Sequence, residues 1–222
     1  MLSPQKVLPD FSRSLVSGFS VASSADSSIA FQGVEGATES PSVAVLFAKT
    51  RSIYNTLPGC DVWDEKRDAR LYMGNHPVIA HPPCRAWGKL RHFSKHQPHE
   101  RHLAMLAVAK VRINGGVLEH PAGSTLWPFA SLPLPGHRDD FGGWTLPILQ
   151  SWFGHRAPKA TWLYFCGVDP SDLPPLPFEL GIPSGRIEQM GRSEREATPP
   201  ALASWLLDSV RVVCNTRTKS HG

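Results

Sequence analysis

Long apolar runs are missing from this chain: no stretch approaches the roughly 20 residues that a membrane-crossing helix needs, so no membrane partner is expected. The N-terminus lacks the charged-then-apolar order of a secretory signal. Cysteine is sparse and scattered at Cys60, Cys84, Cys166 and Cys214, without a CxxC pair, a pattern that reads as reduced thiols in a cytoplasmic protein. No internal repeat is visible. Charge of one sign does not dominate: the formal net charge is +4 and the isoelectric point about 9.0. This hints at a polyanionic partner but is shared by many soluble proteins. The ten histidines add positive charge only at lower pH. What is present is ordinary for a globular chain, 41% hydrophobic and 19% charged residues. The 222 residues suffice for one domain with a proper core, and the 21 prolines predict many turns and extended loops.

Residues 1–41 are rich in Ser, Gly and Ala and follow neither a helical nor a strand period. They read as a flexible leader, with short strands at Ser20-Val21-Ala22 or Ile29-Ala30-Phe31 as the alternative. A single α/β domain is expected over residues 42–214, followed by a tail over 215–222. Its first strand is the apolar run Ser42-Val43-Ala44-Val45-Leu46-Phe47-Ala48. A turn or short helix follows over 49–57. A second strand is Cys60-Asp61-Val62-Trp63-Asp64. A third is His76-Pro77-Val78-Ile79-Ala80, leading into His81-Pro82-Pro83-Cys84. The pattern predicts a helix over 98–113, with Pro98 at its first position and Leu103, Ala104, Leu106, Ala107 and Val111 as its apolar stripe. Asn114-Gly115-Gly116 stops it. Val117-Leu118 is the next strand, with Glu119-His120-Pro121 just past its end. Strand, helix, strand makes the two strands parallel neighbours and sets Cys84 and Glu119 on one carboxyl edge, where open α/β sheets bind ligands. Residues 128–148 read as loop, Thr161 to Cys166 as a strand, 169–183 as a Pro-rich loop, and 199–213 as a closing helix with Thr198 as N-cap.

Several side chains at that edge suit chemistry. A thiol held over a cleft by two prolines is a candidate nucleophile if its pKa is lowered or a proton acceptor is near; otherwise Cys84 is a structural loop cysteine. An acid directly after an apolar strand is unusual. Burial would raise the pKa of Glu119 and let it give a proton to a ring nitrogen; the alternative is a carboxylate that caps a loop or pairs with an arginine. His81 and Cys84 share an H-x-x-C spacing and His120 lies near, but zinc needs four ligands in compatible geometry and no metal is expected. The cluster Lys89, Arg91, His92, Lys95, His96, His99, Arg101 and His102 reads as a basic loop that binds phosphates, or as a solvated loop.

The order Pro82-Pro83-Cys84, helix, Glu119-x-Pro121, then Gln150-Ser151-Trp152-Phe153-Gly154-His155-Arg156 before a strand resembles DNA cytosine-C5 methyltransferases over roughly residues 43–210. It is closer still to the small methyltransferase-like proteins of phages and prophages. The closing segment from Arg195 to Ala203 also resembles the last motif of that family. The resemblance implies a Rossmann-like, class I methyltransferase-like fold: an open, mostly parallel sheet with flanking helices. It implies a bacterial or phage-infected cell, S-adenosylmethionine as cofactor, and DNA or a nucleotide as substrate. Cys84 would attack C6 of cytosine, Glu119 would contact N3, and Arg156 would help position the base. Phe47, Asp61, Asp64, His81 and Pro82 would lie on the cofactor's side, with Asp61 or Asp64 on a ribose hydroxyl or simply at a solvated strand end. Arg85, Trp87, Lys89, Arg91, Lys95, Gln150 and Lys159 would meet nucleic acid, Trp87 by stacking on a base; the remaining tryptophans read as core.

The chain departs from the family in four places. Glu119-His120-Pro121 replaces Glu-Asn-Val. Gln150, Arg156 and Lys159 stand where a Gln-x-Arg-x-Arg segment is usual. Phe47-Ala48-Lys49-Thr50-Arg51-Ser52 has no glycine where the family's cofactor loop has two, and only a short Pro-rich segment occupies the place of the target-recognition domain. The readings carried forward are base modification through Cys84, the same chemistry with another donor, or a non-catalytic nucleic-acid-binding protein on the same fold.

Overall fold

The computed structural model describes residues 42–89, 91–97, 99–177 and 183–219. The leader over 1–41 with its candidate strands, Pro98, and the side chain of Cys214 lie outside the described residues.

Six strands form one sheet: β1 Val43–Leu46, β2 Cys60–Trp63, β3 Val78–Ala80, β4 Gly116–Pro121, β5 Trp144–Leu149 and β6 Ala160–Cys166, in the order β2-β1-β3-β4-β6-β5. β1 pairs in parallel with β2 (Val45 opposite Val62) and with β3 (Val45 opposite Ile79), and β3 pairs in parallel with β4. β6 runs antiparallel to both β4 and β5. The sheet is therefore mixed, with β6 alone opposing the common direction.

Both faces of the sheet are covered, so β1 is apolar at every position rather than alternating. Ala44 and Leu46 point to one face, where α1 (Glu100–Asn114) buries Ala104, Ala107, Val108 and Val111. Val43 and Val45 point to the other, where a long C-terminal helix (Pro200–Lys219) buries Leu202, Ala203, Leu206 and Val210. Leu103 and Leu106 of the expected α1 stripe are only half-buried. Two short helices lie between: α2 (Leu126–Phe129) and α3 (Arg192–Glu196), which makes the C-terminal helix α4. α1 ends at Gly115, which has φ 69°, and the chain turns directly into β4 at Gly116, with φ 121°. A Cβ on Gly116 would sit 2.0 Å from the Val78 carbonyl oxygen, so the close approach of β4 to β3 requires glycine.

Four expectations are corrected. Glu119, His120 and Pro121 belong to β4 rather than lying beyond it, because β6 continues the ladder to Pro121 opposite Thr161. Residues 128–148 hold the start of β5; Pro147 is tolerated there because β5 is an edge strand. The α4 helix starts at Pro200, with the Pro199 carbonyl accepting from Ala203 N, so Pro199 rather than Thr198 occupies the capping position. It also runs to Lys219, through most of the expected tail.

Candidate functional site

The β3 exit is pinned where His81 N donates to Leu46 O of β1 at 3.0 Å. Pro82 is buried, and the Cys84 carbonyl accepts from the amides of Trp87 and Gly88 at 2.9 Å each. This tight turn leaves Cys84 exposed at the carboxyl edge. Glu119 rises from the adjacent strand β4, its side chain only 13% exposed.

Both oxygens of Glu119 are held. Gln150 Nε2 donates to Oε1 at 2.8 Å, and His81 Nδ1 lies 3.3 Å from Oε2. Gln150 is buried and donates also to Thr161 Oγ1 at 3.1 Å. On the far side of the imidazole, Tyr54 Oη lies 3.1 Å from His81 Nε2, with the two rings 5.4 Å apart. Tyr54 is buried in the 3-10 turn Ile53–Thr56 after β1. A polar line thus runs Tyr54–His81–Glu119–Gln150–Thr161 beneath the cysteine edge.

The electrostatics reverse one expectation. Burial pushes the Glu119 carboxyl upward, but the hydrogen bond from His81 and the charges of Lys159 and His81 outweigh it and bring it to about 2. Glu119 is therefore an ionised acceptor in the free protein, not a raised acid. The Cys84 thiol is pushed up, first by desolvation and then by the negative charge of Glu119, while Lys159 pulls the other way. The free protein thus holds a thiol, not the thiolate a nucleophile needs. His120, fully buried in β4, is driven down to about 4 by burial and stays neutral. Among the described residues neither of its ring nitrogens has a hydrogen-bond partner.

A cleft of about 640 Å³ opens at the carboxyl ends of β1 and β2, lined in part by Phe47, Lys49, Asp64, Asp68, Pro83 and Arg85, with none of the residues of the polar line in its wall. Phe47 makes the turn out of β1 with φ 61°. Asp64 Oδ1 accepts from the amides of Lys66 and Arg67, which keeps its carboxyl below the usual range. Asp64 and Phe47 share this cleft with Lys49 and Thr50, which carry side chains rather than the hydrogens of glycine. Asp61 does not join it: its carboxylate is taken up by Arg67 at 2.6 Å and the Trp63 indole at 2.7 Å. His81 turns to Tyr54 and Glu119.

Of the expected nucleic-acid contacts, Gln150 is drawn into the Glu119 network instead, and Lys159 acts on Glu119 through its charge. Lys89 and Lys95 are exposed, and Arg91 is half-buried. Arg85 is exposed but bonded to Glu100 at 2.6 Å. Trp87 is corrected: it is fully buried, packed 5.0 Å from Phe129 with the Arg101 guanidinium 4.5 Å over its ring, and offers no stacking face. Arg156 is exposed and pairs with Glu194 of α3 at 2.7 Å, which anchors α3 rather than reaching Glu119. Glu196 of the same helix pairs with Lys49 at 3.3 Å and adds negative potential at Cys84. Among the described residues no group of three His, Cys, Asp or Glu side chains is placed to hold a metal, and no helix is long and apolar enough to cross a membrane.

Tyr54 was not legible from the sequence, because its contact with His81 spans 27 residues. No family model matches the chain, and no curated protein or solved structure matches it significantly.

Proposed function

We propose that this protein modifies a pyrimidine base, cytosine at C5 in DNA, through a covalent adduct on Cys84. The observation that carries the reading is the pairing of an exposed thiol at the end of β3 with a buried, ionised carboxylate one strand away. The Rossmann-like methyltransferase arrangement belongs to the same proposal. It is supported by the run of parallel strands β2-β1-β3-β4, helices on both faces, and the cleft at their carboxyl ends.

The chemistry follows from the residues. A target base leaves the stack to reach the edge, and the exposed cations Lys89 and Lys95 hold the phosphates beside it. Exposed Cys84 gives up its proton to solvent water, aided by the Lys159 charge, and its sulfur adds to C6. The Glu119 carboxylate accepts hydrogen bonds from the N4 amino group and from N3 once N3 is protonated, which stabilises the adduct and makes C5 electron-rich. Phe47 and Asp64 would hold S-adenosylmethionine, which would supply an electrophilic methyl carbon to C5. The C5 proton then passes to solvent at the exposed edge, its electron pair restores the C5–C6 double bond, and the C6–sulfur bond breaks to return the Cys84 thiolate.

The raised thiol and the side chains on Lys49 and Thr50 favour a second reading, a nucleic-acid-binding protein without turnover. The nucleoside mass spectrum of DNA from a methylation-deficient host separates them. The first reading predicts a cytosine heavier by one methyl group, absent with Cys84→Ser. A Cys84-dependent species of another mass replaces the donor and keeps the adduct. An unchanged spectrum favours binding alone.

A further inference from the structure

We propose that His81, backed by Tyr54, is a positioning residue that supplies and takes back the proton shared between Glu119 and N3 of the base, rather than a cofactor contact. The inference rests on the base-modifying reading above.

The geometry defines the hydrogens. An ionised carboxylate only accepts, so the 3.3 Å contact from Glu119 Oε2 requires the hydrogen on His81 Nδ1. Oε1 is occupied by the Gln150 amide, which has no proton to give. His81 is thus the one titratable side chain hydrogen-bonded to Glu119 among the described residues. Behind it, Tyr54 is buried with its phenol raised well above the ordinary value, by burial first and by Glu119 second. Tyr54 therefore keeps its proton and cannot feed the line. Its hydroxyl can still donate to Nε2 of the neutral ring or accept from Nε2 of the imidazolium, at the same 3.1 Å.

The proton count closes on this arrangement. The proposed cycle starts with a hydrogen on each ring nitrogen of His81, Nδ1 toward the Glu119 carboxylate and Nε2 toward Tyr54. When the Cys84 sulfur bonds to C6, electron density passes to N3, the Nδ1 proton moves to Glu119 and on to N3, and His81 becomes neutral with its remaining hydrogen on Nε2 toward Tyr54. When the C6–sulfur bond breaks, N3 gives the proton back through Glu119 to Nδ1. No oxidant or further reactant is needed.

The charged and titratable groups around this line are Tyr54 from the turn after β1, Cys60 of β2 through its effect on Tyr54, Cys84 through the charge of Glu119, Glu119 and His120 of β4, and Lys159 before β6. His120 is neutral and Cys60 is pushed up to about 11, so neither supplies the proton.

The test uses the full chain and DNA carrying tritium at cytosine C5. Adduct formation makes C5 exchangeable with water, so tritium release reads the Cys84 step without any donor. Release by the wild type is expected to exceed the Cys84→Ser background. His81→Gln keeps an N–H for Glu119 but has no proton to pass on; it is expected to release about 100-fold more slowly, with the loss in kcat and not in KM for the DNA. Wild-type release by His81→Gln, or a loss confined to KM, overturns this role and leaves the base-modifying reading intact. No release above the Cys84→Ser background overturns that reading and this role with it.

Discussion

His120 offers a sharp prediction about acid stability. Its ring is fully buried beside Glu119, 6.4 Å from the Trp127 ring and edge-on to it, with both nitrogens unpartnered among the described residues. In the unfolded chain it takes up a proton near 6.5; in the fold burial holds it to about 4. Between those values the unfolded state binds the extra proton, so stability must fall as pH falls through that window. A difference of about 2.5 units corresponds to about 3 kcal/mol at its fullest. Glu119 adds a second, lower window. Its folded value of about 2 against an ordinary 4.5 gives stability that is present above 4.5 and lost below it, again about 3 kcal/mol. His120→Leu removes the first window and not the second. It also removes two unpartnered polar atoms from the interior, so it is expected to gain about 1–3 kcal/mol at neutral pH. Urea midpoints measured along a pH series supply the free energies. Parallel wild-type and variant curves between 6.5 and 4 would refute the assignment of that window to His120.

Other expectations are equally concrete. Cys84 is exposed but its thiol is raised, so iodoacetamide labelling of its peptide should be slow at neutral pH and half-maximal above the midpoint of an ordinary thiol. Glu119→Gln should lower that midpoint by removing the negative charge. Asp139 accepts from Arg112 at 2.9 Å, Tyr164 at 2.8 Å and Gly143 N at 2.8 Å, tying the loop before β5 to α1 and β6. Asp139→Asn should cost about 3 kcal/mol, seen as a drop in Tm of about 6–12 °C. Gly116→Ala would force a methyl group into the Val78 backbone, and soluble yield should fall sharply.

Local pattern revealed the sheet only where it was decisive. β1, β3 and α1 were legible because buried strands read as continuous apolar runs and helices carry periodic stripes. β5 was hidden by Pro147, whose presence argues for loop until the strand is known to lie at an edge. Cys84 and Glu119 could be set on one edge from the strand-helix-strand order alone, and they do lie there. The ionisation of Glu119 could not be read. It depends on His81 and Lys159, which separate parts of the chain bring to it and which leave no spacing signal. Trp87 misled because a tryptophan three residues past a candidate nucleophile looks available, whereas the turn at Cys84 folds it inward.

The central claim is that Cys84 bonds to a cytosine. The most direct measurement uses a duplex of randomised sequence with 5-fluorocytosine in place of cytosine, incubated with the protein and S-adenosylmethionine. Fluorine cannot leave C5 as a proton does, so the adduct cannot resolve. The account predicts a complex that survives denaturing electrophoresis and a peptide mass that places the base on Cys84. Persistence of the complex in Cys84→Ser, or its absence from a wild-type protein that still binds the duplex, would contradict it.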